Sequence, residues 1–308
     1  MHILITGGSG FLGTHLCRAL AKEGHVIRVL DLRVNSEFET IVGDVKSQND
    51  VSQALVGIDA VYHLASYIEA GESVKEPYKF TENNVLGTII LLEEMRKANI
   101  KKFFFSSSAA VYGEPIRVPI FEDDRTMPIN PYGMTKLAME ALASSYASSF
   151  GFTCVALRYF NLYGPGERHV PETHAIPRFV SQVYKGESVT VWGSGEHQRD
   201  YIFVLDIVDA HVRCLRFEEP GYVYMNLSGK NATKVIDVIK SIASIMGKEA
   251  HIVNYDARPG DPLLLFADGS KAKQLLGWEA QTDLMTGLKV TIDDLLTYFD
   301  SQTTNNQT

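Results

Sequence analysis

The sequence predicts an α/β protein, a doubly wound parallel sheet followed by a smaller α/β region. Apolar β-type runs over 2–6, 26–31, 40–42, 60–64, 102–106 and 153–158 alternate with helical patterns near 11–23, 49–55, 80–98 and 131–150. That alternation gives a parallel sheet covered on both faces. The first strand runs straight into a glycine-rich turn that opens a helix. After residue 158 the character changes: GPGERHVPETHAIP is rich in Gly, Pro and charge, and the helices beyond it are interrupted by short strands such as 188–192. The expected organisation is a first domain over 1–160 rejoined by about 200–220, a second over 161–199 and 221–300, and a frayed polar tail, SQTTNNQT, over 301–308.

Composition narrows the function classes. The 308 residues exceed the ~100–150 of a common single domain and can bury a sizeable core. An apolar fraction of 45%, a charged fraction of 21% and 10% aromatics describe a folded globular chain. Acidic residues outnumber basic ones, 37 to 29, and no Lys/Arg cluster exceeds a doublet, so neither nucleic acid nor an anionic membrane is an expected partner. No stretch reaches the roughly 20 apolar residues of a membrane span. The N-terminus has no basic region and no cleavage-like site, and the expected location is the cytoplasm. Cys17, Cys154 and Cys214 are widely spaced and form no CxxC pair, so they read as small buried side chains, with neither a disulfide framework nor a metal site indicated.

The turn after the first strand reads TGGSGFLG, residues 6–13. Gly7, Gly10 and Gly13 let the backbone turn tightly, approach a pyrophosphate and bring helix against strand, while the helix start at Phe11 and Leu12 offers free N–H groups to the anion. The second strand ends at Asp31, 18 residues beyond Gly13, where a carboxylate accepts hydrogen bonds from the adenine ribose hydroxyls. Together these form the fingerprint of a dinucleotide-binding (Rossmann) unit. Asp31 would repel a 2′-phosphate, which favours NAD over NADP, although Arg33 stands nearby.

Two later segments carry the chemistry: SSSAAVYG (106–113) at a strand end and PYGMTK (131–136) at a helix start. Strand C-termini of an open parallel sheet face the ligand crevice, so Ser108 can meet a substrate. Tyr132 and Lys136 are four apart and project from one helix face. A nearby ammonium and the positive nicotinamide of NAD⁺ both favour phenolate, making Tyr132 a candidate general base. Taken singly these are an ordinary aromatic and an ordinary helix charge; with the dinucleotide fingerprint they read as a catalytic set.

These segments, together with GDV (43–45), YHLAS (62–66), GESV (71–74), ENNVLGT (82–88), LRYFNLYGPG (157–166), HQRDYIFVLD (197–206) and RPGD (258–261), resemble in kind and order the extended short-chain dehydrogenase/reductase family. Within it the resemblance is to the NDP-sugar enzymes similar to UDP-glucose 4-epimerase. It implies Tyr132 as base, Lys136 binding the nicotinamide ribose, and Ser108 assisting proton transfer. It further implies that Asp44 and Val45 lie by the adenine and that Asn84 lines the cofactor cleft. Leu32, Leu64, Ala65, Ser106 and Tyr159 complete the candidate cofactor set. On the substrate side it implies Asn161, His174, Arg199, Tyr201, Arg258, Asp261 and Leu265 around a UDP-sugar. Charge agrees: a chain of net charge −8 needs arginines to bind a pyrophosphate, and Arg199 and Arg258 are the candidates.

The reaction expected from the resemblance is C4 epimerisation through a 4-keto intermediate, with NAD retained. Dehydratase relatives carry an acid just after the Ser/Thr of the strand-end motif, whereas this chain has Ala109 and Ala110. The competing readings are a dehydratase, a uronate epimerase or decarboxylase or a reductase on the same scaffold, and a non-enzymatic dinucleotide sensor. Two departures matter. The loop before GESV reads Ser66-Tyr67-Ile68-Glu69-Ala70 where epimerases commonly carry a lysine, so weaker NAD retention is expected. The position gating the sugar's C2 substituent is Leu265, which leaves room for an N-acetyl group, so UDP-GlcNAc is expected as a substrate beside UDP-glucose. His174 stands where relatives often carry a neutral amide. Helices 80–98 and 131–150 are apolar or small on more than one face, and the resemblance implies that they pair with their symmetry mates in a homodimer.

Overall fold

A seven-stranded parallel sheet organises the first three quarters of the chain. In the computed structural model, which describes residues 1–168, 174–256 and 263–305, its strand order is Gly221–Leu227, Thr153–Tyr159, Lys102–Ser108, Ala60–His63, His2–Thr6, Val26–Asp31 and Glu39–Val42. The strands alternate between two buried faces, as a sheet covered on both sides requires. Ile3 and Ile5 enter one core with Tyr62 and Phe104, under helices Phe11–Lys22 and Val204–Cys214. Leu4, Phe103 and Phe105 enter the other, under helices Gln48–Ala54, Gly87–Lys97 and Pro131–Phe150.

The second region is built on short strands. Gln198–Phe203 lies between Ala232–Lys234 and Leu264–Leu265 and also pairs with Asn161–Tyr163, while Ile252–Tyr255 pairs with Val189–Trp192. Helices Ala175–Lys185, Val235–Met246 and Leu284–Asn305 close a third core around Phe179, Val180, Ile239 and Leu288.

Three sequence expectations need correction. Strand Gly221–Leu227 is the seventh strand of the large sheet, so the start of the second expected segment, at 221, falls one strand too early. A single alternating strand carries no mark of which sheet it joins. Conversely, strand Gln198–Phe203 belongs to the small sheet, and the chain re-enters the first domain only at helix Val204–Cys214. The tail does not fray at 301, because helix Leu284–Asn305 continues four residues beyond it.

The helix expected over 80–98 is composite: an α turn Pro77–Phe80, a π-helical stretch Thr81–Leu86, then α-helix Gly87–Lys97. The wider turn carries the fully buried Asn84. Cys17, Cys154 and Cys214 are buried free thiols, and burial raises all three pKa values. Among the described residues no helix is long and apolar enough to cross a membrane.

Candidate active site

The glycine turn is fixed by close backbone approach. Gly7 has φ +74°, and a Cβ there would stand 2.7 Å from the Ala65 nitrogen and 2.9 Å from the Leu64 carbonyl carbon. A Cβ on Gly13 would sit 2.1 Å from the Gly7 carbonyl oxygen. No side chain caps the helix that begins at Phe11, so its first N–H groups remain available to an anion. Asp31 accepts from Ser9 N at 3.0 Å and from Arg33 N at 3.1 Å, which pins its carboxylate at the strand end. The Arg33 guanidinium donates to Ser9 O at 3.3 Å. A cleft of about 1440 Å³ opens along Gly10, Phe11, Ser66, Tyr67 and Glu69. Backbone turn, uncapped helix and terminal carboxylate together fit a dinucleotide with a free ribose 2′-hydroxyl.

A buried hydrogen-bond chain ties this turn to the chemistry. Thr6 Oγ1 meets His63 Nδ1 at 2.7 Å, His63 Nε2 meets Thr88 Oγ1 at 3.0 Å, and Thr88 donates to Asn84 O. Asn84 Nδ2 donates to Thr135 Oγ1 at 3.0 Å, and Thr135 donates to Tyr132 O at 2.7 Å. Burial, with the charge of Lys136 adding to it, lowers the His63 pKa to about 3, so the ring is a neutral link. The Asn84 amide is engaged within the protein, bonded to both the N–H and the carbonyl of Tyr67 as well as Thr135. It shapes the cleft by holding the loop that forms one wall.

Helix Pro131–Phe150 starts cleanly because Asn130 caps it and Pro131 occupies its first turn. That places Tyr132 and Lys136 over the carboxyl end of strand Lys102–Ser108. Burial raises the Tyr132 phenol to about 12, a hydrogen bond with Ser108 opposes the rise, and the Glu69 carboxylate adds to it. Lys136 is 1% exposed, and its Nζ donates to Ser106 O at 2.9 Å and to Ser106 Oγ at 3.2 Å. Burial lowers its pKa to about 7, with Glu140 opposing. Its ammonium lies 5.9 Å from the centre of the Tyr132 ring. An acid–base phenol, a hydroxyl that can hold a reacting oxygen and a cation beside both can move a proton on and off an alcohol.

The remaining cofactor candidates divide. Ser106 holds Lys136, and Leu64 and Ala65 form the ledge against Gly7. Leu32 is exposed beside Asp31, Asp44 accepts from Lys46 N, and Val45 is buried beneath Gly87. Tyr159 ends its strand with its hydroxyl bonded to His211 inside the first core, where the strand is buried on both faces.

On the substrate side the small sheet assembles four of the expected residues. Asn161 is registered opposite Tyr201, and Leu265 opposite Arg199. Asn161 Nδ2 donates to Asp200 O at 3.0 Å. Asp200, a neighbour with which Arg199 could have paired, spends its buried carboxylate on Ser228 Oγ, Gly229 N and Ala267 N. Leu265 packs against the cluster of Val111, Tyr112 and Ile120, just beyond Ser108. Arg258 and Asp261 lie outside the described residues.

His174 bridges two carboxylates: Nδ1 bonds the buried Glu167, and Nε2 lies 3.2 Å from Glu69. Those partners outweigh its burial and raise its pKa to about 10. The bridge spans the cleft between loop 66–69 and the segment after strand Asn161–Tyr163. His15 Nε2 adds a second tie, 2.8 Å from Pro165 O, and Asp294 a third, accepting from Gly166 N at 2.7 Å and pairing with Arg168 at 2.6 Å. Sequence reading missed Glu69 as a wall residue, Glu167 and Asp294. Glu69 and Glu167 lie inside segments already singled out, whereas Asp294 comes from a C-terminal helix with no local signal.

Two outcomes follow. Gly13→Ala forces its methyl into the Gly7 carbonyl, and NAD binding measured by fluorescence titration is expected to be lost. A raised His174 pKa means its ion pairing stabilises fully below the unfolded value of about 6.5 and is lost as pH rises through about 10. The melting-temperature gap between wild type and His174→Gln should therefore be widest near pH 6 and close above pH 10.

Comparison with known proteins agrees with this geometry. The model of the NAD dependent epimerase/dehydratase family matches residues 3–227. The chain is 38% identical over 303 residues to the UDP-glucose 4-epimerase of Lactobacillus helveticus, covering 91% of this chain and 92% of that one. The Thermotoga maritima UDP-glucose 4-epimerase, solved with UDP-glucose, matches with a TM-score of 0.92 at 31% identity, covering 97% of this chain and 100% of that one. The Brucella ovis UDP-glucose 4-epimerase, solved in complex with NAD, gives 0.91 at 34% identity, covering 96% and 98%. By its glycine turn, its tyrosine–lysine helix and these matches along its length, the chain belongs to the NAD-dependent epimerase/dehydratase family.

Proposed function

We propose that the protein is an NAD-dependent UDP-sugar 4-epimerase. The observation that carries this reading is Tyr132, its phenol under the influence of the Ser108 hydroxyl and its ring centre 5.9 Å from the ammonium of the buried Lys136 one helical turn on, at the carboxyl edge of a sheet whose glycine turn and Asp31 suit NAD. NAD, held by the turn of Gly7, Gly10 and Gly13 and by Asp31, would supply the hydride acceptor and donor for the sugar C4. Tyr132 removes the proton of the C4 hydroxyl as that bond is oxidised and gives it back on reduction. Ser108 holds the same oxygen in line with the phenol. Lys136 supplies the positive field that a phenol raised to about 12 by burial needs in order to ionise. Ala109 and Ala110 follow Ser108, so no carboxylate stands there to protonate a leaving hydroxyl, which favours epimerisation over dehydration.

Asn161, Arg199 and Tyr201, with Arg258 and Asp261, are read as the nucleotide-sugar side of the site. His174 is read as a bridge between the cleft walls rather than a direct ligand contact, since both its ring nitrogens have carboxylate partners. Leu265, apolar and packed beside Val111 and Tyr112, supports acceptance of an N-acetyl group at C2. Exposed Leu86 and Met134, on adjacent helical stretches over 80–98 and 131–150, support a homodimer through those faces. Three buried free thiols suit a reducing cytoplasm.

The test is proton NMR of the protein with NAD⁺ and, in separate tubes, UDP-glucose, UDP-GlcNAc and UDP-glucuronate. The C4 epimers of the first two are expected, without mass change. An unsaturated or decarboxylated product, or turnover of the uronate alone, would overturn the reading. Tyr132→Phe should lower kcat by about 10²–10⁴-fold while the protein stays folded. Leu265→Tyr should abolish turnover of UDP-GlcNAc and spare UDP-glucose.

A further inference from the structure

Helix Pro131–Phe150 presents three side chains at four-residue spacing, Tyr132, Lys136 and Glu140, and strand Lys102–Ser108 ends in three consecutive serines. Each helix residue engages one of them: Tyr132 with Ser108, Lys136 with Ser106 and Glu140 with Ser107. The third rung is buried on both sides, with Glu140 4% and Ser107 2% exposed. Arg158, registered beside Ser107 on the neighbouring strand, donates to Glu140 from Nε at 2.9 Å and from Nη2 at 2.6 Å, and Tyr222 donates at 3.0 Å. Glu140 thus accepts from two strands of the sheet and from a third through Tyr222, which no apolar contact could do with comparable directional precision.

We propose that Glu140 is a positioning residue for this reaction: clamped by Ser107 and Arg158, it fixes the helix register that presents Lys136 to Ser106 and Tyr132 to Ser108. This rests on the epimerase reading for its kinetic consequence but not for its geometry. A carboxylate one turn from Lys136 also favours the ammonium. The charged and titratable groups facing the ladder are Glu69 and Tyr159 on the Tyr132 side, His63 on the Lys136 side, and Arg158, Tyr222 and Lys271 on the Glu140 side. Tyr112 is bonded to Arg158, and Glu122 acts on Tyr112 and Lys271 from beyond.

Removing Glu140 alone would strand the buried Arg158 charge and could unfold the chain, so the test is Glu140→Leu combined with Arg158→Met, a swap that removes both charges at similar volume. Ser107→Ala is the milder companion, deleting one donor. For the folded double variant the expected result is a kcat lower by about tenfold to a hundredfold with KM for UDP-glucose unchanged. The high-pH limb of kcat should move to lower pH, because Lys136 loses the carboxylate that favours its proton. Ser107→Ala should lower kcat less, in the same direction. Amide exchange of the protein without substrate should quicken over 132–136 and stay slow in the sheet. Wild-type kcat and pH profile in both variants, or a raised KM at unchanged kcat, would overturn the proposal. If the double variant fails to fold, an unchanged kcat and limb in Ser107→Ala overturns it. If the wild type shows no epimerisation, the functional reading fails, and amide exchange over 132–136 still decides the positioning role.

Discussion

The structure depends on satisfying buried polar groups at the carboxyl edge of its sheet. Thr6, His63, Asn84, Thr88 and Thr135 are all withdrawn from water, and an unpaired donor or acceptor there would cost about 1–3 kcal/mol each. The solution is one continuous chain of hydrogen bonds running from the strand that enters the glycine turn to the backbone of Tyr132. The cofactor end and the proton-transfer end are therefore parts of one network. His63 serves because its ring can be an acceptor at one nitrogen and a donor at the other, and burial keeps it neutral enough to be both.

The first domain was readable because its signals are local and periodic. The glycine turn, Asp31, the strands over 2–6 and 26–31 and the helix over 131–150 each announce themselves within a dozen residues, and the last coincides with its expected span. Tyr132, Lys136 and Ser108 came from the spacing of two short segments. What escaped was whatever depends on partners far along the chain. Strand Gly221–Leu227 joins the large sheet only because strand Thr153–Tyr159 has an open edge. Tyr159 points its hydroxyl at His211, 52 residues away, and nothing near it in the chain says so. Asn84 sits in a recognisable segment, yet its inward direction comes from the π-helical turn, which leaves no compositional mark.

The two halves of the molecule meet under electrostatic control. The cleft wall carries Glu69, whose charge works against ionisation of Tyr132, and His174 answers it with a cation shared with Glu167. Asp294 does the reverse for Arg168 at the other end of the same segment. An acidic chain that must receive a pyrophosphate thus keeps its opposite charges paired along the crevice, so the local potential there departs from the net charge of −8.

The π-helical stretch Thr81–Leu86 has a rotational meaning. In an α-helix each residue advances the azimuth by about 100°. Thr88, Leu91, Leu92 and Met95, at offsets of three, four and seven, share one face of the α-helix that follows. The widened turn slips the count before that helix, and so sets the phase at which the buried Phe80 and Asn84 of the preceding turns meet the same inward face. A single-residue deletion there would return the segment to uniform pitch and rotate those preceding turns, with the loop that Asn84 holds, away from the site.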